Sequence, residues 1–175
     1  MLRKFAISIV LCIALTACAS LGEVPTKKLA TATLRQANGL PAGTAILTAA
    51  GEKVTLSLAL AGLPAGQKGM HLHMVGRCDA PDFASAGGHL NPGGRQHGTA
   101  NPSGSHLGDL PNVVIDSNGA AAVSAQLPGT RAVLEAALFD ADGTAIVVHA
   151  GPDDYRTDPS GNSGARIACG VLTRS

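Results

Sequence analysis

Seven side chains in this 175-residue chain could hold metal ions: His71, His73, His89, His97, His106, Asp109 and His149. His71 and His73 are an i, i+2 pair, and on a strand both imidazoles leave from the same face. His89, His97 and His106 follow at intervals of eight and nine residues, with Asp109 three further on. Neutral imidazole nitrogens plus one carboxylate oxygen make a tetrahedral zinc set. His149 lies just after the apolar run 145–148, where a strand would give out into a loop. A single histidine is most often a surface or hydrogen-bonded residue. Six of them at strand ends and in loops argue instead for one or two transition-metal sites. Imidazole suits zinc, copper, iron and nickel, so spacing alone names neither metal nor reaction.

Strands are what position such a set. Val54, Leu56, Leu58 and Leu60 alternate with Thr55, Ser57, Ala59 and Ala61, and Ala121, Val123, Ala125 and Leu127 alternate with Ala122, Ser124 and Gln126. Shorter apolar runs lie at 45–49, 113–115, 133–139, 145–148 and 167–172. Turn residues separate them: Ala50-Gly51-Glu52, Leu63-Pro64-Ala65-Gly66, Ser117-Asn118-Gly119 and Asp142-Gly143. The reading is about eight short antiparallel strands with almost no helix, an all-β barrel or sandwich. Residues 75–111 and 150–165, rich in Gly and Pro, read as two long loops. Loops of that length in a compact domain are usually functional.

The chain carries a formal net charge of +1 and shows no basic stripe, so nothing suggests a nucleic-acid partner. Residues 1–17 read as an export signal, with Arg3 and Lys4 ahead of an apolar run too short to span a bilayer permanently. The run ends in Leu15-Thr16-Ala17-Cys18, which resembles a lipobox, so Cys18 is the expected lipidated residue. Residues 18–28 then form a polar tether and residues 29–175 the domain. Ala19 after the Cys, rather than Asp, favours the outer membrane facing the periplasm of a bacterial cell envelope. Cys12 leaves with the leader, so Cys78 and Cys169 remain, and an oxidising compartment favours their pairing.

Several separated motifs resemble those of the copper/zinc superoxide dismutases. Gly69-Met70-His71-Leu72-His73 is similar to the G-F-H-x-H signature, and Gly88-His89-Leu90-Asn91-Pro92 to the G-P-H-F-N-P segment. His97-Gly98 and His106-Leu107-Gly108-Asp109-Leu110-Pro111-Asn112 resemble the zinc loop. The run from Gly161 through Arg166 to Cys169-Gly170 resembles the C-terminal G-N-x-G-x-R-x-A-C-G signature. The likeness covers most of residues 30–173 and implies an eight-stranded Greek-key, immunoglobulin-like barrel with two functional loops.

The resemblance implies a superoxide dismutase with one copper and one zinc per subunit, superoxide as substrate, and a homodimer as one assembly. His71, His73, His89 and His149 are its copper ligands, and His89, His97, His106 and Asp109 its zinc ligands. His89 would bridge the two ions and carry a proton to the product. Asp153 matches the carboxylate linking a copper histidine to a zinc histidine, with Asp154 its rival. Arg166 matches the guanidinium beside the open copper position, and Cys78–Cys169 the family disulfide. Lys53, Lys68, Arg95 and Arg156 are unplaced candidates for steering the anion. Met70 in place of Phe, and Gly87-Gly88 in place of Gly-Pro, fit a bacterial branch. A copper-storing lipoprotein, a copper-only dismutase and a sandwich with incidental histidines are the rival readings.

Overall fold

The structure, a computed structural model, describes residues 24–175. The export signal and Cys18 lie outside the described residues. The strand series opens with β1 (Thr26–Gln36), β2 (Pro41–Ala50) and β3 (Lys53–Leu60), which pair antiparallel in sequence order. β1 begins three residues before the Leu29 boundary expected for the domain. β4 (Gly66–Lys68) and β5 (Met70–His73) follow, then a long loop interrupted by a single 3₁₀ turn at Ala84–Ala86. β6 (Val113–Ile115), β7 (Ala121–Gln126), β8 (Ala145–His149), β9 (Arg166–Val171) and the two-residue β10 (Thr173–Arg174) complete the series.

Eight strands form one antiparallel sheet in the order β5-β8-β9-β1-β2-β3-β7, with β10 on β1, and the sheet curls into a half-barrel. β4 and β6 make a separate antiparallel pair. The alternation in β3 works as the sequence implies. Val54, Leu56, Leu58 and Leu60 are all at most 3% exposed, while Lys53 is exposed and Thr55 and Ser57 are partly so. Leu34, Leu47, Leu56, Leu72 and Ile146 are fully buried in the same core. β8 is buried along its whole length, as expected of a strand covered on both faces.

One of the apolar runs expected as strands is helical. Most of residues 133–139 forms the helix α1 (Arg131–Leu138). Leu134 and Leu138, four apart, are its buried pair, which is helical rather than strand spacing. The Thr130 side chain caps its start by accepting from the Val133 N–H, and Arg131 Nε donates to Glu135 Oε1 at 2.6 Å one turn on.

Candidate metal centre

β5 carries the first pair. His71 and His73 face Val147 and Ala145 of β8 across one edge. On its other edge β5 bridges two loop residues, Asp109 opposite His71 and His89 opposite His73. The long loop is therefore laid along a rigid strand, so residues far apart in sequence reach one place. Gly108 makes that approach feasible, because a Cβ there would collide with the Leu72 carbonyl. His149 ends β8 at a register irregularity between Val148 and His149, which re-aims its ring relative to the rest of the strand.

His71, His73, His89 and His149 offer ligand atoms within 4.8 Å of one another. Their second ring nitrogens are engaged elsewhere. His71 Nε2 donates to Asp153 Oδ2 at 2.8 Å, His73 Nδ1 to the Gly87 carbonyl at 2.9 Å, and His149 Nδ1 to the Gly164 carbonyl at 3.0 Å. That leaves His71 Nδ1 and the Nε2 atoms of His73, His89 and His149 buried with no partner. Four orphaned lone pairs at one point are costly unless a cation takes them. Burial is the main reason that His73 is pushed down to about 2, and His89 and His149 to about 4, against an ordinary 6.5. All three rings are neutral at physiological pH, the form that ligates.

Beside this group lies a second. Asp109 Oδ1 is 3.0 Å from His89 Nδ1, 3.0 Å from His97 Nδ1 and 3.2 Å from His106 Nδ1. His106 Nδ1 is 3.3 Å from His89 Nδ1. Donors about 2.0 Å from a tetrahedral zinc are separated by about 3.3 Å, close to these four separations, which join Asp109 to each ring and His89 to His106. His97 Nδ1 lacks hydrogen-bond geometry despite its neighbour, as expected of an atom aimed at an ion. By proximity alone His71 also groups with His89, His97 and Asp109. Its Nε2 is committed to Asp153, however, and His106 fits the fourth position better. His89 presents one ring nitrogen to each group, the arrangement a bridging ligand needs. Burial works to raise the Asp109 carboxyl. Hydrogen bonds from His89 and from the Gly98 and His106 N–H groups outweigh it and hold the carboxyl well below the usual range.

Asp153 joins the two groups from behind. Its Oδ2 accepts from His71 Nε2 at 2.8 Å and its Oδ1 from His97 Nε2 at 2.9 Å. Asp154 does neither; it is exposed and accepts from Arg156, Thr157 and Asn162 within its own loop. Two residues with no role assigned from sequence hold Asp153 in place. Asn112 donates to the Asp153 carbonyl and accepts from its N–H, and the Tyr155 hydroxyl accepts from the Asn112 N–H. Asn112 stands in the zinc-loop motif, which was its available signal. Gly161 packs so closely here that a Cβ, at a φ of +62°, would run into Asp153 and His97.

Arg166 opens β9 opposite His149. Its Nη1 donates to the Phe83 carbonyl and its Nη2 to the Gly87 carbonyl, both at 2.7 Å. Arg166 lines a cleft with His73, His89 and His149, which places a fixed cation beside the first group. Of the unplaced cations, Arg95 also lines this cleft. Lys68 is buried and donates to the Ala150 carbonyl at 2.7 Å instead. Cys78 and Cys169 form a disulfide across 91 residues, beside Phe83.

A sequence profile described as copper/zinc superoxide dismutase (SODC) matches residues 41–172. A "Superoxide dismutase [Cu-Zn] 1" of Aquifex aeolicus is 47% identical over 111 residues, 62% of this chain and 66% of that one. A "Superoxide dismutase [Cu-Zn]" of Caulobacter vibrioides is 44% identical over 147 residues, 82% of this chain and 84% of that one. Among solved structures, a SOD-like protein from Bacillus subtilis superposes with a TM-score of 0.77 at 36% identity, covering 84% of this chain and 100% of that one.

Proposed function

Because the chain belongs to the copper/zinc superoxide dismutase family, we propose a residue-level assignment of its two metals and a place for it in the cell. Its reaction is the dismutation of superoxide to dioxygen and hydrogen peroxide, and its cofactors are copper and zinc. Copper is held by His71 Nδ1 and by Nε2 of His73, His89 and His149. Zinc is held by Nδ1 of His89, His97 and His106 and by Asp109 Oδ1. The observation carrying this assignment is the set of four buried, unpartnered nitrogens that converge beside Arg166.

Copper supplies one-electron redox chemistry, which zinc cannot. The protein supplies the rest. Arg166 offers a permanent charge and N–H donors to the incoming anion. Asp153 and the Gly87 and Gly164 carbonyls keep a proton on the far nitrogens of His71, His73 and His149 respectively, so the ligating lone pair of each stays free. His89 faces both groups, and its Nε2 is the atom able to take a proton and give it to the departing peroxide. The test is metal content alongside superoxide decay in wild type and His149→Ala. The variant is expected to keep zinc and fold while losing copper and activity. A fully active variant would refute the assignment.

The proposal extends to location. Export and lipidation at Cys18 would hold the enzyme on the outer membrane, facing the periplasm, where it would remove extracytoplasmic superoxide. The apolar leader ending in Leu15-Thr16-Ala17-Cys18 supports this, as does the disulfide, since such bonds persist in oxidising compartments. Acyl chains anchor firmly because each buried CH₂ contributes about 0.8 kcal/mol. Cys18→Ala is expected to move the protein from the membrane to the soluble fraction. A homodimer is the assembly implied by the family resemblance, and sedimentation of the soluble variant decides it.

A further inference from the structure

Sulfur is the side-chain element most readily oxidised by peroxide, and the described residues hold four sulfur atoms, in Met70, Met74, Cys78 and Cys169. The two cysteines are already joined. Met70 and Met74 flank the His71–His73 pair, one before and one after, yet their surroundings are opposite. Met70 is 0% exposed and part of the core, whereas Met74 is 48% exposed.

Met74 also lines the cleft shared by His73, His89, His149 and Arg166. Its N–H donates to the Gly88 carbonyl at 3.0 Å, and its side chain lies over the Gly87-Gly88 backbone. A Cβ built on either glycine would sit 3.9 Å from the Met74 sulfur. That backbone carries the carbonyl to which both His73 and Arg166 donate. An exposed thioether therefore stands on the wall of the cleft by which the peroxide product leaves.

We propose that Met74 is an oxidation site, converted to methionine sulfoxide by hydrogen peroxide leaving the copper cleft. The inference rests on the assignment of copper to His71, His73, His89 and His149. In the step, a sulfur lone pair attacks one peroxide oxygen, the S–O bond forms and the O–O bond breaks. The sulfur-bound oxygen gives up its proton to the leaving hydroxide, which departs as water. Sulfur loses two electrons and peroxide gains them, so no oxidant is needed beyond the enzyme's own product. The sulfoxide is reducible, which makes the residue a renewable sink beside imidazoles that are not.

The experiment uses the full chain loaded with both metals, a steady superoxide source and catalase in the bulk solution. Superoxide consumption is recorded, and peptides are mapped by mass. One added oxygen is expected on the Met74 peptide, forming about tenfold faster than in a copper-free, zinc-loaded sample, because the oxidant is released beside the sulfur. Met70 is expected to stay unmodified. Methionine sulfoxide reductase should reverse the change, and the same peptide of Met74→Leu should gain nothing. Full superoxide consumption with unmodified Met74 would overturn the inference and leave the assignment standing. So would equal oxidation in the copper-free sample, abolition by catalase, or oxygen gained by the Met74→Leu peptide. A metallated sample that consumes no superoxide would overturn the assignment and the inference with it.

Discussion

His73 and Arg166 donate to the same acceptor, the carbonyl oxygen of Gly87, at 2.9 and 2.7 Å. One peptide group thus sets both the orientation of the His73 imidazole and the position of the cation beside the cleft. Arg166→Ala removes the charge and both carbonyl contacts, whereas Arg166→Lys keeps the charge and loses the planar fork. Alanine is expected to lower the bimolecular rate by about 10- to 100-fold and to flatten its fall with ionic strength. Lysine should restore the salt dependence but only part of the rate. Pulse radiolysis at several salt concentrations measures both, and an unchanged rate in the alanine variant would argue against this role.

Asp153 must be an acceptor on both oxygens, since His71 and His97 each present an Nε2 proton to it. In Asp153→Asn one of those protons would meet an amide N–H₂ in a site that is 3% exposed. One ring must then turn or change tautomer. Loss of such an outer partner typically costs about 10- to 100-fold in metal affinity. The expected outcome is weaker zinc and copper retention against a graded series of chelators. Asp154→Asn, by contrast, should leave metal affinity unchanged.

The disulfide closes a 91-residue loop and packs with Phe83, whose carbonyl holds Arg166. Replacing Cys78 and Cys169 with serine is expected to lower stability by up to about 4–5 kcal/mol, the chain-entropy value for a loop of this size. It should also loosen the segment that carries Phe83 and Gly87. Activity should then fall further than metal content does. Denaturant midpoints and metal analysis on the same samples test the two effects separately.

The convergence of the histidines was legible because the chain holds no others than these six and because His71 and His73 stand at strand spacing on β5. The long loops were legible because Gly and Pro leave them no other structure. Three features left no such trace. The helix at Arg131–Leu138 is short enough that Val133, Leu134 and Leu138 also read as a strand run, and only burial of the i, i+4 pair decides. Asp153 and Asp154 are adjacent carboxylates, and only the direction of the side chains separates the one under the histidines from the one in its own loop. The carbonyls of Gly87 and Gly164 do their work through the backbone, which no side-chain motif encodes.

Acid should destabilise the metal-free protein well before its surface carboxylates titrate. Burial holds His89 and His149 at about 4 and His73 at about 2, below the 6.5 of an unfolded histidine. Between pH 6.5 and 4 the unfolded chain therefore binds more protons than the folded one, so stability rises with pH across that window and is lost as pH falls through it. Each histidine contributes up to about 1.4 kcal/mol per pH unit. Below pH 4 the folded state takes protons on His89 and His149, and their share of the slope ends. The lowered carboxyls of Asp109 and Asp153 then extend the loss to more acid conditions. Urea midpoints of the metal-free protein should be level above pH 7 and fall steadily from pH 6.5 to 4. A flat profile over that range would mean that the three imidazoles are solvated, and that the cluster opens when the metals leave.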